Sequence, residues 1–240
     1  MNKSFKLYWF YFFESLNAFR SDSKLYFAYI VSLSLVSMLQ NGMDIMFSKD
    51  KIILRIISKL LFSIIPIMIL SKILYVIKIR HFGLDDYKRV LWQFWRYSFI
   101  YFALISLAFC FYFISSLLVA KIFPEIKLPQ ALAYMSFLLL PVIYMMIFYS
   151  LSPFVAVFED DLSDGVLFIS KKLSKKALGL VVTNHIVSLF APIIFSLVIM
   201  INNPLFKFYT ALILSIPEAI LSVLMILTTS RIYLYLKQID

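Results

Sequence analysis

The sequence predicts an all-α polytopic membrane fold, with six transmembrane helices accompanied by N-terminal and cytoplasmic amphipathic helices. Three observations lead there. Of 240 residues, 62% are hydrophobic and 15% charged, where soluble domains run near one half and one quarter. Six apolar segments reach the roughly 20 residues that a spanning helix needs, at about 25–47, 52–77, 97–120, 131–158, 177–201 and 208–234. Lysine and arginine sit beside the ends of these segments and form no stripe along a soluble module. The connectors are short, so residues 1–240 are expected to form a single integral membrane domain.

The first element is the stretch MNKSFKLYWFYFFESLNAFR. Glu14 interrupts it and no small-residue cleavage site follows, so a cleaved signal peptide is not expected. Phe5, Trp9, Phe12, Phe13, Leu16 and Phe19 approximate helical spacing, which suits a helix lying in the membrane interface. In the first span Ser32, Ser34 and Ser37 offer close approach to a neighbouring helix, since four glycines in the whole chain provide no GxxxG motif. The second span carries Arg55, Lys59 and Lys72, expected to extend toward the outer and inner interfaces respectively. Pro66, Pro141, Pro153, Pro192 and Pro217 fall inside span segments, where each removes a backbone donor and tends to kink its helix.

An even number of spans puts both termini on one side. Sixteen basic residues fall in the N-terminus, the C-terminus and the connectors at 72–96 and 171–176, against seven in the alternate connectors. The positive-inside rule then makes both termini and those two connectors cytoplasmic. The formal net charge of +10, placed in this way, points to anionic lipid headgroups and not to nucleic acid. Cys110 is the only cysteine, so neither an intrachain disulfide nor a thiolate metal site can form.

The two larger cytoplasmic connectors, HFGLDDYKRVLWQFWRY and VFEDDLSDGVLFISKK, both place two acids first, then an apolar stripe, then basic residues. The order hints at a repeated span, surface helix and span unit. In the second connector Glu159, Asp160, Asp161 and Asp164 precede the stripe, and Lys171, Lys172, Lys175 and Lys176 follow it. Asp161 as N-cap with Asp164 three residues on, opposite a lysine-rich C-terminus, fits helix capping and the macrodipole. No spacing resembles a calcium loop, so no metal is expected. This surface, including Gly165, is a candidate docking or headgroup-binding face. Glu159 and Gly165 share the six-residue spacing seen in the cytoplasmic helices of importer-type ABC permeases. Asp160 and Asp161 replace the alanines expected between them, and no Ile-x-Leu-Pro follows.

His185 in the fifth span and Glu218 in the sixth are a candidate intramembrane polar pair. Helical rise places them at different depths, about 12 Å and about 20 Å or more from the cytoplasmic ends of their spans. With His81 and His185 the only histidines, and no HExxH, phosphate-binding glycine loop, CxxC or serine–histidine–acid order, neither catalytic activity nor a cofactor is expected.

The second half, with PFVAVFEDD closing a proline-bearing span, then LFISKKLSKKALGL, then a last span ending TTSRIYLYLK, resembles the six-helix membrane domain found beside bacterial glycerophosphoryl diester phosphodiesterases. Glu159, Ser170, Lys171, Tyr233 and Leu236 occupy places comparable to that family's pattern. Gly165 and Val166 stand where alanine is usual, and Lys175 and Lys176 where a glycine is common. The resemblance covers about half the chain and implies six helices in a bacterial cytoplasmic membrane. The phosphodiesterase activity is not transferred with the resemblance, which covers no soluble phosphodiesterase domain in this sequence. The expected role is non-enzymatic, in envelope or membrane homeostasis. The alternatives are a transporter or permease subunit that docks a cytoplasmic ATPase through 159–176, and an immunity or scaffold protein for another membrane protein.

Overall fold

A computed structural model describes residues 3–46, 52–83, 85–122, 128–159, 164–188 and 204–239, with side chains placed at 3–39, 64–83, 85–119, 121–122, 130, 133–159, 164–188 and 213–239. Among these residues the regular structure is all helical. In chain order the helices are α1 (Lys3–Ser21), α2 (Ser23–Met46), α3 (Ile52–Phe82), α4 (Tyr87–Ile122), α5 (Leu128–Phe148), α6 (Ser152–Phe158), α7 (Val166–Lys176), α8 (Leu178–Ser188) and α9 (Pro204–Gln238). Among the described residues three stretches are long and apolar enough to cross a membrane: Tyr87–Val119, Ala133–Phe158 and Ile213–Gln238. Ser23–Leu39 and Leu178–Ser188 are shorter apolar helices. Arg55, Lys59, Asp160, Asp161 and Pro192 lie outside the described side chains.

The core gathers around α9, which packs against α1, α2, α3, α6 and α7. Tyr233, Val223 and Leu236 are completely buried there. Small and hydroxyl residues let the helices approach. Ser34 on α2 reaches the Ser215 carbonyl at 3.4 Å and Ser37 donates to Glu218 Oε2 at 3.1 Å. Ser32, by contrast, bonds back to Ala28 in its own helix. Gly179 on α8 faces Ser4 on α1 so closely that an added Cβ would stand 2.5 Å from its hydroxyl.

Three expectations change at this level. The segment HFGLDDYKRVLWQFWRY holds no separate surface helix, because α4 runs unbroken from Tyr87 to Ile122. Asp86 starts it, its carboxylate accepting the Lys88 N–H at 3.0 Å. The expected span at 131–158 is two helices, α5 and α6. Pro153 has no N–H to offer the Tyr149 carbonyl, and Ser152 supplies both its N–H (3.0 Å) and its hydroxyl (2.7 Å) instead. The neighbouring carbonyls find side-chain donors too: Tyr101 for Met146 (3.2 Å), Ser150 for Ile147 (3.0 Å) and Ser170 for Phe148 (2.9 Å). In an apolar surrounding each unmet carbonyl would be costly, so the break is stable only because these hydroxyls meet it.

The third change concerns α7. Gly165 stands at its N-cap with φ +81°, and among the described residues no side-chain hydrogen bond caps it and no acid lies in its first turn. Asp164 is exposed in the preceding turn. A positive φ at this position suits glycine, which has no Cβ to clash. The stripe on α7 also turns inward, since Val166, Ser170, Leu173 and Ser174 are buried against the bundle and Phe168 alone among its large apolar side chains is strongly exposed. The N-terminal helix behaves similarly. Tyr8 and Ser15 are its buried residues, with Phe12 and Phe19 packed partly against the core, while Phe5, Phe10 and Phe13 face outward.

Candidate functional site

The helix ends from Asp22, Arg80, Glu159 and Lys237 meet at one end of the bundle. The site begins with α6, whose seven residues are all buried, so its last turn can only deliver Glu159 against α9. Glu159 accepts a hydrogen bond from the Tyr233 hydroxyl at 2.5 Å and another from Lys237 Nζ at 2.9 Å. Phe158 stacks on the Tyr233 ring at 5.2 Å, Phe82 lies against Phe158 at 5.9 Å, and Lys237 Nζ sits 5.3 Å from the centre of the Phe82 ring. The ammonium is therefore held by a carboxylate and by an aromatic face together.

Further pairs surround this one. Asp22, between α1 and α2, pairs with Arg80 at the end of α3. That hydrogen bond holds the Asp22 carboxyl below its ordinary value, against the opposing effect of burial, with the Arg80 charge assisting. Lys78 is buried and meets Asp85 at 2.6 Å, and Arg89 approaches the same carboxylate at 3.8 Å. Burial pushes the Asp85 carboxyl up, but the Lys78 hydrogen bond, the Asp86 N–H and the two cations outweigh it, so the group lies below its ordinary value. Glu14 on α1 receives Arg231 at 2.9 Å, and next to it Tyr11, His81 and Tyr235 line a cleft of about 170 Å³. Burial, followed by the charges of Tyr235 and Glu14, pushes the Tyr11 hydroxyl up to about 12.

The predicted acidic and basic surface divides in two. Glu159 faces inward and Asp164 outward. Lys171 lies 5.5 Å from the Tyr144 ring centre, and its hydrogen bond to the Tyr144 hydroxyl raises its pKa. Lys172, Lys175 and Lys176 are exposed, and burial followed by the Lys172 charge lowers the pKa of Lys176. Ser170 is buried and bonded to the Phe148 carbonyl, which fastens α7 to the break between α5 and α6.

His185 and Glu218 do not meet. Glu218 is held by Ser37 of α2, whereas Asn184, next to His185, donates to Thr229 Oγ1 at 3.2 Å. Thr229 lies about 16 Å along α9 from Glu218 at 1.5 Å per residue. Among the described residues no three histidine, cysteine or acidic side chains come together in a metal-binding group.

Charge order alone did not reveal Lys237 as a site residue, because its partner Glu159 is 78 positions away; Lys78 and Asp85 are close in sequence but pair only across the turn between α3 and α4. Of the five residues quoted for the family resemblance, Glu159 and Tyr233 are in direct contact, Leu236 is fully buried one turn from Tyr233, and Ser170 positions α7 beside them. No protein-family model, curated protein or solved structure matches this chain.

Proposed function

We propose that this is a non-enzymatic six-span protein of a bacterial cytoplasmic membrane, with both termini inside, that acts in membrane homeostasis through its charged end. The observation that carries the reading is the division of the molecule. One end collects the pairs at Asp22, Asp85, Glu14 and Glu159 together with the exposed lysines of α7. The flanks of α4 and α5 present Phe99, Phe102, Leu107, Phe113 and Phe137 outward. Such flanks suit acyl chains, and such an end suits anionic headgroups, each basic residue near the surface contributing on the order of 1 kcal/mol. The internal pairs fix the helix ends, and Lys172, Lys175 and Lys176 are exposed at the surface.

In a permease subunit docking an ATPase through 159–176, Glu159 is already engaged by α9, and the exposed described residues Asp164, Gly165, Phe168, Lys172, Lys175 and Lys176 are the ones open to the partner. Alkaline-phosphatase and GFP fusions test the topology: GFP after Gln238 should fluoresce, and phosphatase joined at 123–127 should be active. The functional test is a deletion strain under membrane stress. Its envelope defect should be restored by the wild-type chain and only weakly by one in which Lys172, Lys175 and Lys176 are glutamine. Full rescue by that variant, or a fluorescent GFP at 123–127, would overturn the reading.

A further inference from the structure

On the outer flank, between α3 and α4, lies an apolar groove of about 390 Å³ that belongs to none of the contacts at the charged end. Ile64 and Met68 form one wall, Leu91, Trp92 and Trp95 the other, and Lys88 stands at its rim. Its position follows from the chain. Tyr87 packs against Tyr75 at 5.3 Å and donates to the Met68 carbonyl at 3.3 Å, which ties the start of α4 to α3 beside the groove. Lys72 continues the row Ile64, Met68 at four-residue steps, so it shares their face of α3, and it is exposed.

The groove therefore has two cations beside its end nearest the charged cluster and apolar walls below. The described ion pairs at this end of α3 and α4 use Lys78, Arg80 and Arg89. Neither Lys72 nor Lys88 meets a carboxylate among the described residues. Trp92 and Trp95, 5.4 Å apart, lie where indoles settle at the boundary of headgroup and acyl chain.

We propose that this groove is a binding site for one anionic phospholipid, an acyl chain lying along Trp92 and Trp95 and the phosphate between Lys72 and Lys88. The assignment rests on the membrane reading above and makes it specific to one lipid class and one place. A second copy of the chain is the less suitable occupant. Packed on this face about a two-fold axis, it would set its own Lys72 and Lys88 beside these, a juxtaposition of like charges.

The chain has three tryptophans, and Trp9→Phe leaves emission from the groove pair alone. That variant, full length in phosphatidylcholine nanodiscs, is titrated with phosphatidylglycerol or phosphatidylcholine carrying brominated acyl chains. Brominated phosphatidylglycerol should quench at a lower mole fraction, by about fivefold for each lysine. Lys72→Gln with Lys88→Gln should abolish that preference, and Lys172→Gln with Lys175→Gln should leave it intact. Circular dichroism should be unchanged in both variants, whose altered side chains are exposed. Equal quenching by the two lipids, a preference that survives Lys72→Gln with Lys88→Gln, or disulfide-linked dimers through Cys introduced at Trp92 would each overturn the site. Fusion reporters placing this end outside would overturn the topology while a lysine-dependent preference still upheld the groove.

Discussion

Helices α9 and α4 have nearly the same length, 35 and 36 residues, and both are apolar enough to span a membrane, yet the fold uses them in opposite ways. Half of the most apolar window of α9 is buried within the protein, against 6% for α4. Lipid is as apolar as a protein core, so greasiness does not decide which helix lies at the centre. Side-chain size and hydroxyls do. α9 buries Ser215, Thr228 and Ser230 among its apolar residues; the Thr228 and Ser230 hydroxyls bond to carbonyls of their own helix, and the Ser215 carbonyl accepts from Ser34 of α2. α4 instead carries Phe99, Phe102, Phe109, Phe111 and Phe113 on its open faces, too bulky for close helix contact on several sides.

The largest expected effect is at the centre. Leu236→Ala removes a fully buried side chain from α9 and should destabilise the protein by about 2–5 kcal/mol, read from unfolding in mixed micelles. Next comes Glu159→Ala, which strips the Tyr233 hydroxyl and Lys237 of their acceptor and should cost about 1–3 kcal/mol. A double-mutant cycle with Tyr233→Phe should give a clear coupling energy; strict additivity would mean that the contact does not stabilise the fold. The acid response should be smaller and confined to the charged end. Asp22 and Asp85 both have folded values below the ordinary carboxylate value, so the unfolded chain binds protons first as the pH drops. Their contribution is complete above the ordinary value and is lost as the pH falls through the lower folded one. Asp85→Asn should flatten that part of a stability–pH curve. The smallest effect is on the periphery, where Leu107→Ala on α4 should change stability by less than about 0.5 kcal/mol. A loss comparable with that of Leu236→Ala would show that the outer face of α4 is covered by protein.

Helix positions were largely legible from apolar runs, and Ser34 and Ser37 were legible as contact residues because small side chains permit close approach. The break before Pro153 was only half legible. A proline in a span signals a lost donor, but whether the helix bends or ends depends on which hydroxyls can reach the freed carbonyls, and Tyr101 and Ser170 come from other helices. The reading of Asp161 and Asp164 as caps treated 159–176 as an isolated surface helix. Burial of Val166, Ser170 and Leu173 against the bundle sets its start at Gly165 instead.

By itself the sequence determined the solvent and the local states of this protein: its apolar content requires lipid, and its apolar runs require helices that satisfy their own backbones. It also set which helix ends carry charge. Only the tertiary structure decided that Glu159 turns toward Tyr233 and Lys237, that His185 and Glu218 remain apart, and that α3 and α4 leave a groove with lysines beside it. The physical reason is that hydrophobicity and backbone hydrogen bonding act over a few residues, whereas these contacts join residues more than 70 positions apart in the case of Glu159 and are fixed by how whole helices pack.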